Sequence, residues 1–524
     1  MKIFPQIVLA LLFFPALTFG QANYFVYFKD KPAVSFEDVR AEFHPNALMR
    51  RIKNGLPLIS ETDFPVSDDY RCEVGEQVMN VRHSLRWLNA VSVEATEAQI
   101  QKVSNLPYVK SVEAFSSEAQ LASFPVSTTD RLDTLLSLVR GQMHLDMLLD
   151  SNLTGKGVRI AILDAGFDDA DIHPAIDRAR KYNQIVATKD FYDGDDNVYA
   201  HSLHGMQVLS CIAGMYEGRP LGAAMDAEFL LARVEHETKE LAAEEDNWIA
   251  AAEWADKMGA DMISSSVTYT DKRYTYADMD GKTAPVSRAA AIAVQKGMLV
   301  ICSMGNEGDE KWRYMGAPAD VPGVLSVGGS LPVLPMRNPF SSFGPNALNQ
   351  RKPDLSAPGF TLTAIKKFKY GENAGTSFST PLVAGVAACM IQRYPEKTQR
   401  EIFDLLCRSG HFYPYYDYEL GYGIADVARF LQKPTDTLSP TFEVIHQSDS
   451  VILKFDTAYM YKDSTNFPNG RVLYYHLENE AGYLGAYFTI RLKNNTQYYF
   501  FRRRETSHGM LRIWLGGYLY EERI

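Results

Sequence analysis

The run Leu382-Val383-Ala384-Gly385-Val386-Ala387-Ala388 constrains this chain more than any other stretch. Small apolar residues with no polar break suit a helix packed tightly on all sides. Directly before it stands Gly375-Thr376-Ser377-Phe378-Ser379-Thr380-Pro381, so a serine would sit at the mouth of that helix, after a turn made by glycine and threonine. A hydroxyl there lies on the positive end of the helix dipole, beside free backbone N–H groups. That is where a nucleophile that must generate an oxyanion belongs. A serine at a helix start is also a common cap, so the residues upstream have to decide between the two readings.

Upstream, Val158-Arg159-Ile160-Ala161-Ile162-Leu163 is a mostly apolar run that stops at Asp164-Ala165-Gly166. It reads as a buried parallel strand whose C-terminal tip carries a carboxylate, the end where open α/β sheets bind ligands. His201-Ser202-Leu203-His204-Gly205 follows, then a helical run from Met206 to Tyr216. A later strand, Val300-Ile301-Cys302-Ser303, leads into Met304-Gly305-Asn306-Glu307-Gly308. Further alternation is predicted between these points: strands over Phe229–Val234, Asp261–Val267, Met298–Met304 and Val324–Val327, and helices over Trp248–Met258 and Ala289–Lys296. This order implies an α/β fold with a mostly parallel, doubly wound sheet and right-handed crossovers. Aspartate, histidine, asparagine and serine then fall in order at element tips.

On those motifs the chain resembles the subtilisin-like serine peptidases, the subtilases. Asp164-Ala165-Gly166 is similar to the family's Asp-Ser/Thr-Gly motif, and His204-Gly205 to the start of its His-Gly-Thr motif. Gly305-Asn306-Glu307-Gly308 resembles its oxyanion asparagine segment, and Gly375–Pro381 its serine motif. Asp190-Phe191-Tyr192-Asp193-Gly194, Phe340-Ser341-Ser342-Phe343-Gly344 and Lys352–Gly359 are supporting matches. The resemblance runs over residues 140–430 or so and keeps the Asp, His, Ser chain order of subtilisin. It implies Ser377 as nucleophile, His204 as its base, Asp164 as the group orienting the imidazole, and Asn306 with the Ser377 N–H as the oxyanion hole. The implied reaction is peptide-bond hydrolysis through an acyl-enzyme. Singly, Asp164 reads equally well as a turn cap, Asn306 as an Asx-turn residue and His204 as a helix-start histidine; the ordered set argues otherwise. His201 competes with His204, but Gly205 and the helix favour His204. His173-Pro174 reads as a loop feature.

The chain departs from the family at Met206 and Gln207, after the His-Gly pair, and at Thr268, where the substrate-pairing segment usually has glycine. The expected pocket walls are Ser266-Val267-Thr268 and Ser303-Met304-Gly305, with substrate added as an extended strand. Thr268 puts a branched side chain beside that pocket.

Met1-Lys2, an apolar run from Ile3 to Phe19 and Gly20-Gln21-Ala22 read as a secretory signal peptide cut after Gly20 or Ala22. The core is short for a spanning helix, the competing reading. Residues 21–125 are expected to form an α+β domain, with strands at Tyr24–Phe28, within Ser84–Val93 and at Tyr108–Glu113, and a capped helix over Thr96–Leu106. It resembles the subtilase inhibitory propeptide; a permanent accessory domain is the alternative. The polar stretch from Ser116 to Thr129 reads as a linker, with processing between about 115 and 140 by its composition. The catalytic domain is set at 126–434. From Thr435 short aromatic strands predict a small all-β sandwich over 435–524, its aromatics packed inside in preference to lining a carbohydrate-binding face.

A net charge of −11, with charges dispersed, argues against nucleic acid as a partner. The expected partners are protein or peptide substrates and the chain's own propeptide, with no membrane after signal removal, for a monomer exported to the extracellular or periplasmic space. Five cysteines, Cys72, Cys211, Cys302, Cys389 and Cys407, are an odd, sparse set without metal-site spacing, and Cys211 reads as a buried packing thiol. No cofactor is required. Subtilases commonly bind structural calcium, and Asp190, Asp193 and Asp195 with Asp196 and Asn197 are oxygen-rich candidates, against a solvated acidic loop. Two other classes remain open. One is a pseudoenzyme that keeps the fold and binds peptides. The other is a dinucleotide-binding protein, weakened by the acidic turn Asp164–Asp169 and the lack of Gly-x-Gly-x-x-Gly.

Overall fold

The computed structural model describes residues 21–115, 119–121, 124–126, 132–236, 244–270, 274–431, 439–448, 450–461, 471–502 and 509–524. The signal-like segment and most of the polar linker lie outside the described residues. At the centre is a seven-stranded, wholly parallel sheet. Its strands run in the spatial order Leu355–Pro358, Leu325–Ser330, Leu299–Ser303, Met262–Ser265, Arg159–Asp164, Glu228–Arg233 and Ile185–Asp190. The four inner strands from Leu299–Ser303 to Glu228–Arg233 are buried almost throughout, as parallel strands sandwiched between helices must be. On one face lie the helices His204–Ala213 and Thr376–Arg393; on the other, Glu245–Lys257 and Pro285–Gln295. The expected α/β architecture is what the chain adopts.

Several element boundaries differ from expectation, and two of these differences bear on the site. The run from Met206 to Tyr216 is helical only to Ala213, because Gly214 takes an extended conformation and Met215–Tyr216 pairs with Arg219–Pro220. The strand expected over Asp261–Val267 breaks at Ser266 and restarts as Val267–Tyr269, which leaves the central sheet.

The N-terminal residues form a four-stranded antiparallel sheet, ordered Asn80–Leu85, Ala90–Thr96, Gln21–Phe28 and Val109–Phe115. Thr96 caps the following helix, exchanging hydrogen bonds with Gln99. One face of this sheet packs its own helices around Val26, Val91 and Val103. The other lays Phe25, Trp87 and Phe115 into the same hydrophobic cluster as Trp248 and Ile249. An arm that pattern reading did not anticipate, with helices Phe36–Ala41 and Pro45–Lys53, reaches further around the α/β unit. Its anchor is a buried ionic knot: Arg51 pairs with Asp63 (2.9 Å) and Asp256 (2.6 Å), Arg50 with Asp256, and Lys296 with Asp63 (2.7 Å). Such groups stay charged inside only because each has opposite charge and hydrogen bonds on it.

The C-terminal residues form two antiparallel sheets of three and four strands, as the sandwich expectation had it. Buried Tyr475 is stacked between Phe501 and the exposed Phe488, at ring distances of 4.5 and 4.6 Å, while Tyr498 and Phe500 also stay exposed. An aromatic seam of Phe412, Tyr415, Tyr474 and Trp514 joins these sheets to the α/β unit.

Candidate active site

Asp164 ends its strand beside Arg233, and the Val234 N–H donates to the Asp164 carbonyl (2.8 Å), which fixes the strand tip. Its Oδ1 accepts from the Ala165 N–H (2.8 Å) and meets His204 Nδ1 at 2.7 Å. A carboxylate oxygen can only accept, so Nδ1 carries the hydrogen of that bond. His204 Nε2 is buried with no hydrogen-bond partner. The histidine opens its helix with its N–H held by Ser202 Oγ (3.1 Å). Glycine is required next: a Cβ on Gly205 would lie 2.4 Å from the Gly166 carbonyl oxygen. His201, the competing histidine, instead faces Asp193 at 3.4 Å.

Ser377 is the second residue of the helix Thr376–Arg393, where the backbone N–H has no intrahelical acceptor. The ring of the next residue, Phe378, lies 5.8 Å from that of His204. Ser377 is clasped by Ser266 in both directions: Ser377 Oγ donates to the Ser266 carbonyl (3.1 Å), and Ser266 Oγ donates to the Ser377 carbonyl (2.9 Å). Asn306 arrives from the loop after Leu299–Ser303. Its Oδ1 accepts from the Thr376 N–H (3.0 Å) and Oγ1–H (2.9 Å), which only an oxygen can do, so Nδ2 is the free end. That amide nitrogen is buried and has no partner. The site therefore offers a hydroxyl at a helix mouth, an imidazole oriented by a carboxylate, and an amide donor with nothing to bind.

Pattern reading missed two carboxyls. Glu235, just past Glu228–Arg233, is buried, and desolvation with the nearby Glu244 and Asp164 charges pushes its carboxyl well above the usual range. Burial also pushes Glu307 up to about 7, against a hydrogen bond from Ser342 Oγ of 2.7 Å. No local sequence signal marks either one; burial that creates such shifts is a tertiary property.

After the break at Ser266, Val267–Tyr269 forms a short edge. Residues 119–121 pair with it antiparallel, Leu121 opposite Val267 and Gln120 opposite Thr268. Residues 124–126 then pair with Lys369–Ala374, the strand that runs into Gly375 and Ser377. The chain's own linker is thus bound as an extended strand on both flanks of the site. Ser303 ends its strand, Leu299–Ser303, and the Gly316 N–H donates to the Met304 carbonyl at 3.3 Å.

The acidic loop does not fit calcium. Arg233 Nη1 meets Asp190 Oδ2 at 2.7 Å and Asp193 Oδ2 at 2.5 Å, so a guanidinium supplies the positive charge there. Asp195 Oδ1 turns back to the Asn197 N–H (2.8 Å). Calcium wants six to eight oxygens, and Asp190 Oδ2 and Asp193 Oδ2 here already face a guanidinium. The cysteines are all free, and Cys211 is buried, its thiol pushed up by desolvation.

Comparison with known proteins gives the same direction. A sequence model of the Subtilase family matches residues 155–423. The chain belongs to the subtilase family. A second model, the peptidase S8 propeptide domain of Bacteroidota, matches residues 23–130. The major intracellular serine protease of Bacillus subtilis (strain 168) is 30% identical over 269 residues, 48% of this chain and 76% of that protein. Subtilisin E of the same strain is 25% identical over 343 residues, 64% and 78% respectively. Among solved structures, fervidolysin from Fervidobacterium pennivorans, described as keratinolytic and related to subtilisin, aligns with a TM-score of 0.56 at 16% identity, covering 95% of this chain and 71% of its own. The epidermin leader peptide processing serine protease of Staphylococcus aureus aligns at 0.55 and 18% identity, covering 80% and 100%. This subtilase is therefore a subtilisin-like serine endopeptidase made as a zymogen, with its own propeptide and peptide substrates as partners. Among the described residues no helix is long and apolar enough to cross a membrane.

Proposed function

We propose that Ser377, His204 and Asp164 are the catalytic triad of an exported endopeptidase and that Asn306 completes its oxyanion hole. The observation that carries this is the 2.7 Å Asp164–His204 contact together with the unpartnered His204 Nε2. When a substrate carbonyl enters, Ser377 Oγ leaves the Ser266 carbonyl and attacks the carbonyl carbon. Nε2 takes the hydroxyl proton and Asp164 steadies the resulting imidazolium. The Ser377 N–H and Asn306 Nδ2 bind the oxyanion. Nε2 then protonates the leaving amine, and water releases the acyl group by the same route in reverse. We assign residues 1–20 to a signal peptide, 21–125 to the propeptide, 126–434 to the catalytic domain and 435–524 to the β domain of a monomer that needs no cofactor. A fluorophosphonate reacts only with an activated serine. It is expected to label Ser377 in the processed wild type and not in His204→Ala; an unlabelled wild type would favour the peptide-binding pseudoenzyme.

Propeptide release is expected to depend on pH through Glu253. Its carboxylate accepts the N–H groups of Arg86 (3.1 Å) and Trp87 (2.9 Å). Burial pushes its pKa up to about 7, despite those donors and the charges of Arg86 and Lys31. Once the propeptide leaves, Glu253 returns towards the ordinary 4.5. The complex therefore holds a proton that the separated partners release. This contribution is fully present below 4.5 and is lost as pH rises through about 7. Asp63 and Asp246 work in another window. Burial tends to raise both, but Lys296 and Arg51 on the first, and Arg82 and His83 on the second, hold them below 3.8, so their grip fails only in stronger acid. Release of the cleaved propeptide, followed by size-exclusion chromatography, should speed up between about pH 5 and about pH 8, and Glu253→Gln should flatten that dependence.

A further inference from the structure

Lys352 and Asp354 precede the strand Leu355–Pro358, and Gly323 precedes Leu325–Ser330. They stand at the N-terminal edge of a wholly parallel sheet, opposite the edge where Asp164 ends its strand. A cavity of about 430 Å³ opens there, between this edge and the helix Gln399–Ser409. That volume is within the range of sites for small organic ligands. Four cations line it, Arg351, Lys352, Arg400 and Arg408, against two carboxylates, Asp354 and Asp404. The chain as a whole carries a net charge of −11, so the positive excess is local.

Both carboxylates are already engaged. Asp404 faces Arg400 at 3.1 Å. Asp354 Oδ2 accepts from the Ser326 N–H (2.9 Å), the Ser326 hydroxyl (2.8 Å) and Lys352 Nζ (3.0 Å). Lys352 is only 2% exposed, and its one other acceptor among the described residues is the Val324 carbonyl (2.7 Å). An ammonium has three N–H donors, so one of them has no acceptor among the described residues. Arg351 Nη1 donates to the hydroxyl of Tyr422 (3.2 Å), which also lines the cavity. The carboxylate that Arg351 faces, Glu478 at 3.8 Å, is shared with Arg512. Arg408, in the last turn of its helix, makes no hydrogen bond or ion pair among the described residues. Positive groups that converge on one hollow repel each other and gain from an anion between them.

We propose that this cavity binds a phosphate or sulfate group, held by Arg408 and Arg351 with the spare N–H of Lys352. Guanidinium groups present paired donors that match the oxygens of such an anion. Phe403 and Tyr413 add aromatic walls against which a small organic body carrying the group can pack. The site stands apart from Ser377, His204 and Asp164, so it is independent of the peptidase reading above.

Thermal unfolding of the full chain tests this in inorganic phosphate, inorganic sulfate, glucose 6-phosphate and glucose, with potassium chloride matching the ionic strength. A saturable rise in melting temperature is expected with the anionic probes and none with glucose or chloride. A stronger response to glucose 6-phosphate assigns the site to an esterified group, and an equal or weaker one to the free ion. Arg408→Ala and Arg351→Ala are each expected to weaken the apparent affinity at least about tenfold, as loss of a charged hydrogen bond does. Arg408 is exposed, so Arg408→Ala without ligand should melt near wild type. The Arg351 guanidinium lies over the Tyr416 ring (5.2 Å); if Arg351→Ala fails to fold for that reason, Arg408→Ala decides alone. A wild type without a saturable response, a response matched by glucose, or one that persists unchanged in Arg408→Ala overturns the proposal.

Discussion

Ser377→Ala should leave the propeptide joined to the rest of the chain while wild type, made in parallel, loses it. Intact mass reads the difference directly. The linker lies on both flanks of Ser377, with residues 119–121 on Val267–Tyr269 and 124–126 on Lys369–Ala374, so the first substrate the serine meets is its own chain. Separately activated Ser377→Ala should retain only residual turnover, with kcat down by about 10⁶, the loss known for the same change in subtilisin. The fold should survive. The Ser377 side chain makes one hydrogen bond, and the Ser266 hydroxyl still has the residue-377 carbonyl to bind. Processing of both proteins alike would mean that a different peptidase performs maturation.

The second large effect is expected at Asn306. Its Oδ1 is tied to Thr376 by two hydrogen bonds, so Nδ2 is held in place before any substrate arrives. A donor that is already oriented and dry stabilises developing charge without reorganising. Asn306→Ala should lower kcat by about 10²–10³, the range known for an oxyanion-hole donor of subtilisin, and leave KM nearly unchanged, because a ground-state carbonyl makes little use of the amide. An Asn306→Ala enzyme whose KM rises while kcat holds would place the side chain in substrate binding instead.

How much of this was legible beforehand follows from where the information sits. Asp164, His204, Asn306 and Ser377 each lie at an element tip next to glycine or a short polar turn, so each is marked within a few residues of itself. The central strands were equally readable, being continuous apolar runs of the length a buried parallel strand needs. The arm over residues 36–53 was not. Its short charged helices look like a solvated surface until Asp256 and Lys296, some two hundred positions on, neutralise Arg50, Arg51 and Asp63. Glu235 and Glu307 escaped notice for the same reason: their unusual protonation comes from burial by distant segments. The acidic loop misled in the opposite sense. Five oxygen-bearing residues within eight positions suggest a cation, and the one facing Asp190 and Asp193 is Arg233 from a neighbouring strand. The break at Ser266 was hidden because Ser264, Ser265 and Ser266 look alike, although only the third turns its hydroxyl and carbonyl to Ser377.

The aromatic seam at the far end of the molecule bears on the cleft as well. Leu334 and Met336 pack into it, and the Tyr474 hydroxyl donates to the Pro335 carbonyl. The same loop runs on to Arg337, whose guanidinium meets the Ser341 carbonyl, and to Ser342, which holds Glu307 beside Asn306. The C-terminal sheets are therefore an abutment for the loop that holds Glu307. A force applied to the tail, by a tether or by a partner, would arrive a few residues from Asn306, the proposed oxyanion donor.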